Sequence, residues 1–329
     1  MTLQEHVREV QLGLRVATQA LRPPPERVGW LVGSGRSGTT WLASLLNADA
    51  TMREMFEPVH RLHVPLMKGG ADHPYFRPGE LPTEWRTWQS EVFSGRHITK
   101  RTDRDNVGRN PAGVRKLLVK DVFACGLIAA NVAAHPDVAP ALVMRHPIAV
   151  ALSKQAHSDW LWTWSPEAFF TQSSWVEDHL GPHVDALTRV AREGGVLPQL
   201  VAVWAVLQHV ALRSASPAVM PILHYESSVL DPWASVQELS AHPSWKGMVT
   251  ANEQQVQAAA HRVSFVSKSA KASALPNPAR WMNKVSSEDR AACERVLDDM
   301  GMADWHNEDG LPVPDAIQAW REAHFPPLA

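Results

Sequence analysis

A chain of 329 residues with 45% hydrophobic content holds ample apolar material for a globular core, as one large α/β domain or two small ones. Its 32 Lys and Arg against 34 Asp and Glu give a net charge of −2, which argues against a nucleic-acid partner and requires any basic site to be local. Two cysteines, Cys125 and Cys293, imply neither a disulfide framework nor a Cys-based zinc site and fit a reducing compartment.

Residues 4–21 have the spacing of an amphipathic helix, which the run Leu21-Arg22-Pro23-Pro24-Pro25 must end. The acidic, interrupted start argues against a secretory signal, and no later run reads as a membrane span, so the chain is expected to be cytoplasmic. Residues 1–27 are thus a helix with a proline-rich lead-in, and residues 28–329 are expected to form one domain without a linker.

Residues 28–32 read as the first buried strand, and Trp41, Leu42, Leu45 and Leu46 give the next helix an apolar face. Further strands are predicted at 52–56, 116–119, 141–144 and 219–223, with helical patterns at 123–134 and 197–213 between them. Alternating strands and helices predict an α/β fold with a central parallel sheet covered by helices on both faces. Ligands bind beyond the carboxyl ends of such strands, which places Arg36, Glu57, Lys120 and Arg145 along one edge.

Residues 67–115, with Trp85, Trp88 and Lys100-Arg-Thr-Asp-Arg-Asp, are too long for an ordinary connection and read as a partly helical insertion near the acceptor site. Trp160, Trp162 and Trp164 alternate, as on a strand face, in core packing or in an acceptor wall. The stretch 264–280 reads as a loop before a final helix near 287–300.

Between the first strand and its helix lies Gly33-Ser-Gly-Arg-Ser-Gly-Thr-Thr-Trp41. Gly33, Gly35 and Gly38 allow a tight turn whose N–H groups approach an anion, and the following helix adds its positive dipole end. The spacing is that of a Walker A loop, but Thr39 stands where Lys is required. With Arg36 inside it, the loop suits one phosphate-like group better than a magnesium-bound nucleoside triphosphate.

Arg36-Ser-Gly-Thr-Thr-Trp41 after a first strand resembles the 5′-phosphosulfate loop of sulfotransferases that use 3′-phosphoadenosine 5′-phosphosulfate (PAPS). Four later segments resemble that family in order: Phe56-Glu57-Pro58, Lys120-Asp121, Arg145-His146-Pro147 with Ser153 eight positions after the arginine, and His224-Tyr225-Glu226 with Asp231-Pro232. The Phe-Glu-Pro and Lys-Asp segments are closest to the carbohydrate and tyrosylprotein members. Two departures stand out. Ser267-Lys268-Ser269-Ala270-Lys271 lacks the glycines of the family's late loop, and Val122-Phe123 replaces the Pro-Phe of the tyrosylprotein branch.

The resemblance implies a single-domain fold with a P-loop-like phosphosulfate loop, PAPS as donor and the nucleotide PAP as product. Gly35, Arg36, Ser37, Gly38, Thr39, Thr40 and Trp41 would hold the phosphosulfate, and Arg145 and Ser153 the 3′-phosphate, with Lys268, Lys271 and Arg280 as further cofactor contacts. Glu57 would be the general base, held extended by Pro58, while Lys120 and Arg36 would neutralise the leaving oxygen without a metal. His60 and His63 are alternative bases. The acceptor would be the hydroxyl of a sugar or specialised metabolite; oligomeric state leaves no sequence signal. Two other readings remain: an ATP-dependent phosphotransferase, which Thr39 contradicts, and a silent PAPS-binding protein, which needs Glu57 buried in a structural pair.

Overall fold

The computed structural model describes residues 3–18, 23–61, 64–67, 71–106, 114–160, 162–261 and 277–325. Five strands, β1 (Arg27–Gly33), β2 (Met52–Phe56), β3 (Lys116–Asp121), β4 (Val138–Met144) and β5 (Ile222–His224), form one sheet in the order β2-β3-β1-β4-β5. Every pairing is parallel. Every residue of β1 after Arg27 is buried, because a central parallel strand has no face toward water.

Side-chain alternation splits the core into two layers. Trp30 and Val32 of β1, with Leu142 and Met144 of β4, pack toward helices Pro147–Gln155 and Val196–Arg213. Leu31, Ala141 and Val143 pack on the other face, with helices Thr39–Leu46, Pro232–Ala241 and Glu253–Ala260. Gly29 permits close approach of that second layer: the Trp245 ring lies 2.7 Å from where a Cβ would stand, and its Nε1 donates to the Pro140 carbonyl at 3.0 Å. The result is a single α/β domain with the glycine-rich turn at the carboxyl end of β1 and Glu57 at that of β2.

Several expectations shift. Helix Val196–Arg213 is long and apolar enough to cross a membrane, contrary to the sequence reading; 83% of it is buried inside the domain, the setting of a core helix. The amphipathic helix is described over Leu3–Thr18, and β3 runs through Lys120 and Asp121 because both continue its pairing with β1. β5 starts at Ile222 instead of 219, since Val219 and Met220 close turns onto Ser216. Helix Ser287–Asp299 is not the last; Pro314–His324 follows it, burying Ile317 and Trp320. The stretch 67–115 contains helix Thr83–Phe93. Trp160, Trp162 and Trp164 lie on no strand, because the chain there turns back on itself through Trp160 N–H to His157 O and Trp162 N–H to Trp160 O.

Candidate active site

The glycine-rich loop joins β1 to helix Thr39–Leu46. Gly38 has φ +89°, and a Cβ there would run into the Tyr225 ring; at Gly35 a Cβ would stand 2.6 Å from the Trp162 ring. Both positions therefore require glycine. Arg36, with φ 75°, also takes the left-handed conformation, strained for a side-chain-bearing residue at a loop of this kind. The helix has Gly38 as N-cap, no side-chain cap and no acid in its first turn, so its leading N–H groups face the loop without an internal anion.

Two arginines meet at this loop. Arg36 donates through Nε to Ser153 Oγ at 2.9 Å, and Arg145 donates through Nη1 to the Arg36 carbonyl at 3.1 Å. Arg145 also lies over the Tyr225 ring, 4.3 Å from its centre, and Arg36 stands 5.3 Å from that of Trp160. Burial and then the neighbouring Arg145 hold Arg36 below its ordinary guanidinium value. Among the described residues neither arginine has a carboxylate partner within salt-bridge distance. Ser37 Oγ and Arg145 Nε are buried without hydrogen-bond partners among the described residues. Two cations and orphaned polar atoms around uncapped helix N–H groups fit an anionic ligand.

Trp41 extends the same wall. Its Nε1 donates to the Ala260 carbonyl at 3.2 Å and its ring meets Tyr225 edge-on at 5.7 Å. Glu226, next to Tyr225, accepts from the His146 N–H at 2.9 Å and fixes the start of helix Pro147–Gln155, the helix that carries Ser153.

Glu57 sits directly after β2, 8% exposed, in an ion pair with Lys120 on one carboxylate oxygen and with Arg101 on the other. Its φ of 46° is left-handed, which corrects the expectation that Pro58 holds it extended. The cause is local: Glu57 N–H extends the ladder to Lys120 O at 2.6 Å, after which the chain turns so that Val59 N–H reaches Asp121 Oδ1 at 2.9 Å. Burial raises the Glu57 carboxyl, but Lys120 and Arg101 together outweigh it, leaving the group below its ordinary value. Lys120 is 4% exposed and its Nζ lies 4.0 Å from the centre of the Phe56 ring. Asp121 is structural: it accepts from Trp30 Nε1 at 3.2 Å, and burial pushes it up to about 6.

Arg280 is exposed on the 3₁₀ segment Pro278–Lys284, and among the described residues no hydrogen bond or ion pair joins it to Arg36 or Arg145. Lys268, Lys271 and His63 lie outside the described residues. His60 packs edge-on to Phe123 at 5.1 Å and stands near enough to Glu57 to help lower its carboxyl. Among the described residues no group of three or more His, Cys, Asp or Glu is placed to hold a metal ion.

The structure adds Arg101, Lys154 and Tyr225. Arg101 lies in a charged run that resembles a solvated loop; Thr99 N–H to Thr102 Oγ1 at 2.8 Å and Phe56 N–H to Thr102 O at 2.8 Å bring it onto Glu57. Lys154 reaches the glycine loop from helix Pro147–Gln155. Nothing in local spacing marks either; for Tyr225 the only signal was its place in the quoted His-Tyr-Glu segment.

No family model and no curated protein matches the chain. Among solved structures it is similar to a sulfotransferase from Alicyclobacillus acidocaldarius, at 15% identity and TM-score 0.39, over 83% of this chain and 96% of that one. A mouse sulfotransferase complexed with PAP aligns at 13% identity and TM-score 0.40, over 87% and 89% of the two chains. Retinol dehydratase in complex with androsterone and inactive cofactor PAP aligns at 14% identity and TM-score 0.41, over 92% and 88%. At these values the likeness carries no argument about chemistry, which has to come from the side chains themselves.

Proposed function

We propose that this protein is a PAPS-dependent sulfotransferase, transferring a sulfuryl group to the hydroxyl of a sugar or specialised metabolite. The observation that carries the reading is the meeting of Arg36, Ser153 and Arg145 at the glycine loop, with no carboxylate within salt-bridge distance of either arginine among the described residues. An ATP phosphotransferase would place Lys at residue 39, where this chain has Thr.

In this reading the loop N–H groups and Arg36 hold the 5′-phosphosulfate, and Arg145 with Ser153 holds the 3′-phosphate. PAPS supplies the sulfuryl group and a leaving phosphate. Lys120 neutralises the developing charge on the leaving oxygen, and its move away from Glu57 frees a carboxylate oxygen to accept the acceptor's hydroxyl proton. Residues 28–329 act as one catalytic unit, with the insertion at 67–115 on the acceptor side, since its Arg101 already reaches Glu57.

One observation favours a second reading, a silent PAPS-binding protein: Glu57 is buried between two cations, as a structural pair would be. The test has two parts. Calorimetry should detect magnesium-independent binding of PAP, with ATP much weaker, and labelled PAPS with an acceptor panel should yield a sulfated product. Absence of PAP binding sinks the donor assignment; PAP binding without transfer to any acceptor supports the silent form.

A further inference from the structure

Lys154 places a buried ammonium against the glycine loop, and among the described residues no carboxylate stands within salt-bridge distance of it. It is 3% exposed, and among the described residues its Nζ makes one hydrogen bond, donated to Ser34 Oγ at 3.2 Å. Ser34 is fully buried between Gly33 and Gly35, and its carbonyl accepts from Ser37 N–H at 3.1 Å, closing the turn that leads to the helix. The other faces of the ammonium are the Trp162 ring, 5.7 Å from Nζ, and two titratable neighbours, Cys125 and His73. Burial pushes the Cys125 thiol up to about 12 and holds His73 down at about 3, so both are uncharged at neutral pH. Burial lowers Lys154 itself to about 8, which leaves most of it charged at pH 7.

An ammonium removed from water without a carboxylate works against folding. A methionine of similar length would fill the same space among Trp162 and Cys125 without that penalty. The loop that Lys154 touches is the one that has to bind an anion, and residue 39 lacks the lysine that a Walker loop uses for this. We infer that Lys154 is a positioning residue of the anion cradle: from behind the loop it orients Ser34 and supplies a water-shielded positive charge that raises affinity for the 5′-phosphosulfate group. The inference rests on the donor reading given above, and its test separates the two.

The affinities of PAP and of inorganic pyrophosphate are measured by calorimetry for the wild type, Lys154→Met, Lys154→Gln and Ser34→Ala, alongside the melting temperature of each free protein. Lys154→Met should weaken both ligands about tenfold, because a shielded charge acts strongly at short range. It should also raise the free protein's melting temperature by about 2 °C or more, since an unpaired buried charge is removed. A lysine with only a structural role would lower the melting temperature instead. Lys154→Gln should reproduce the affinity loss if the methionine variant folds poorly, and Ser34→Ala should lose less than Lys154→Met. Unchanged affinity for both ligands, or a fall in melting temperature in both Lys154 variants, overturns the inference. Pyrophosphate binding that depends on Lys154 in a protein that ignores PAP supports the cradle and removes the donor reading; a wild type that binds neither ligand removes both.

Discussion

Arg36 Nε and Ser153 Oγ stand 2.9 Å apart across 117 residues of chain. One belongs to the turn after β1 and the other to the helix after β4, neighbouring strands of the sheet, so the hydrogen bond ties together the two strand ends that would hold the two phosphate-bearing ends of PAPS. Arg145 completes the tie through the Arg36 carbonyl.

Removing Arg145 should therefore act on the nucleotide and little on the fold. Arg145→Ala is expected to weaken PAP by about 2 kcal/mol or more through loss of a charge-assisted contact. Adenosine 5′-phosphate, which lacks the 3′-phosphate, should lose far less. Equal losses for the two nucleotides in calorimetry would move Arg145 from the 3′-phosphate to the loop itself.

The loop glycines test the same geometry from the backbone side. Gly38 combines φ +89° with a Tyr225 ring in the space that a Cβ needs. Gly38→Ala has to distort the loop or displace Tyr225, and the left-handed conformation alone costs about 1–2 kcal/mol. The expected outcome is a lower melting temperature together with loss of PAP binding. Tyr225→Ala in the same chain should restore part of the stability, by opening the space, without restoring affinity, because Tyr225 also carries Arg145. An alanine variant with wild-type binding would show that the loop is not the cradle.

The glycine-rich turn, the approximate positions of the five strands and the charged residues at their ends were legible because they are local patterns: an apolar run, then glycines or a charged residue at a fixed offset. The strand order was not, since placing β3 between β1 and β2 depends on packing among segments more than sixty residues apart. Arg101 and Lys154 were illegible for a related reason. Each acts through one contact, to a residue 44 positions away for Arg101 and 120 for Lys154, and each sits in a local setting that reads as solvated loop or ordinary helix. Of the three settings that the Trp160 to Trp164 alternation allowed, the strand face is removed, because a turn packed on Gly35 imitates the period of a strand.

Buried histidines set the acid limit of the fold. Burial, then the charges of Lys154 and Arg61, hold His73 at about 3, and burial with His183 and Arg213 holds His209 at about 2. Both are neutral when folded and take up protons when unfolded below about 6.5. Their contribution is complete above that pH and is lost progressively as pH falls from 6.5 toward the folded-state values. Asp121, raised to about 6, works in the opposite sense between pH 6 and 4, but His179, His224 and His306, held by burial at about 4, 4 and 3, act with the first two histidines. Urea denaturation should show stability falling from pH 7 to pH 5, with a shallower slope in His209→Gln. A flat profile over that range would mean that these histidines are protonated in the folded protein.

The last test concerns Glu57, whose pairing with Lys120 and Arg101 makes a single substitution ambiguous. Glu57→Gln leaves Lys120 buried without its counter-charge, so it should destabilise the protein by about 3–5 kcal/mol whether or not Glu57 is the base. A double-mutant cycle with Lys120→Met separates the roles. Stability should be strongly coupled: in the Lys120→Met background, Glu57→Gln should cost much less, because the stranded ammonium is gone. Turnover should not be coupled in this way. If Glu57 takes the acceptor's proton, adding Glu57→Gln to Lys120→Met should still cut sulfuryl transfer by roughly 10² or more, while PAP affinity stays near that of the single variant. A strut would give the other pattern, with turnover recovering alongside stability in the double variant. That recovery on a confirmed acceptor would remove Glu57 as the base and turn the search to His60, which lies three residues further along the same turn.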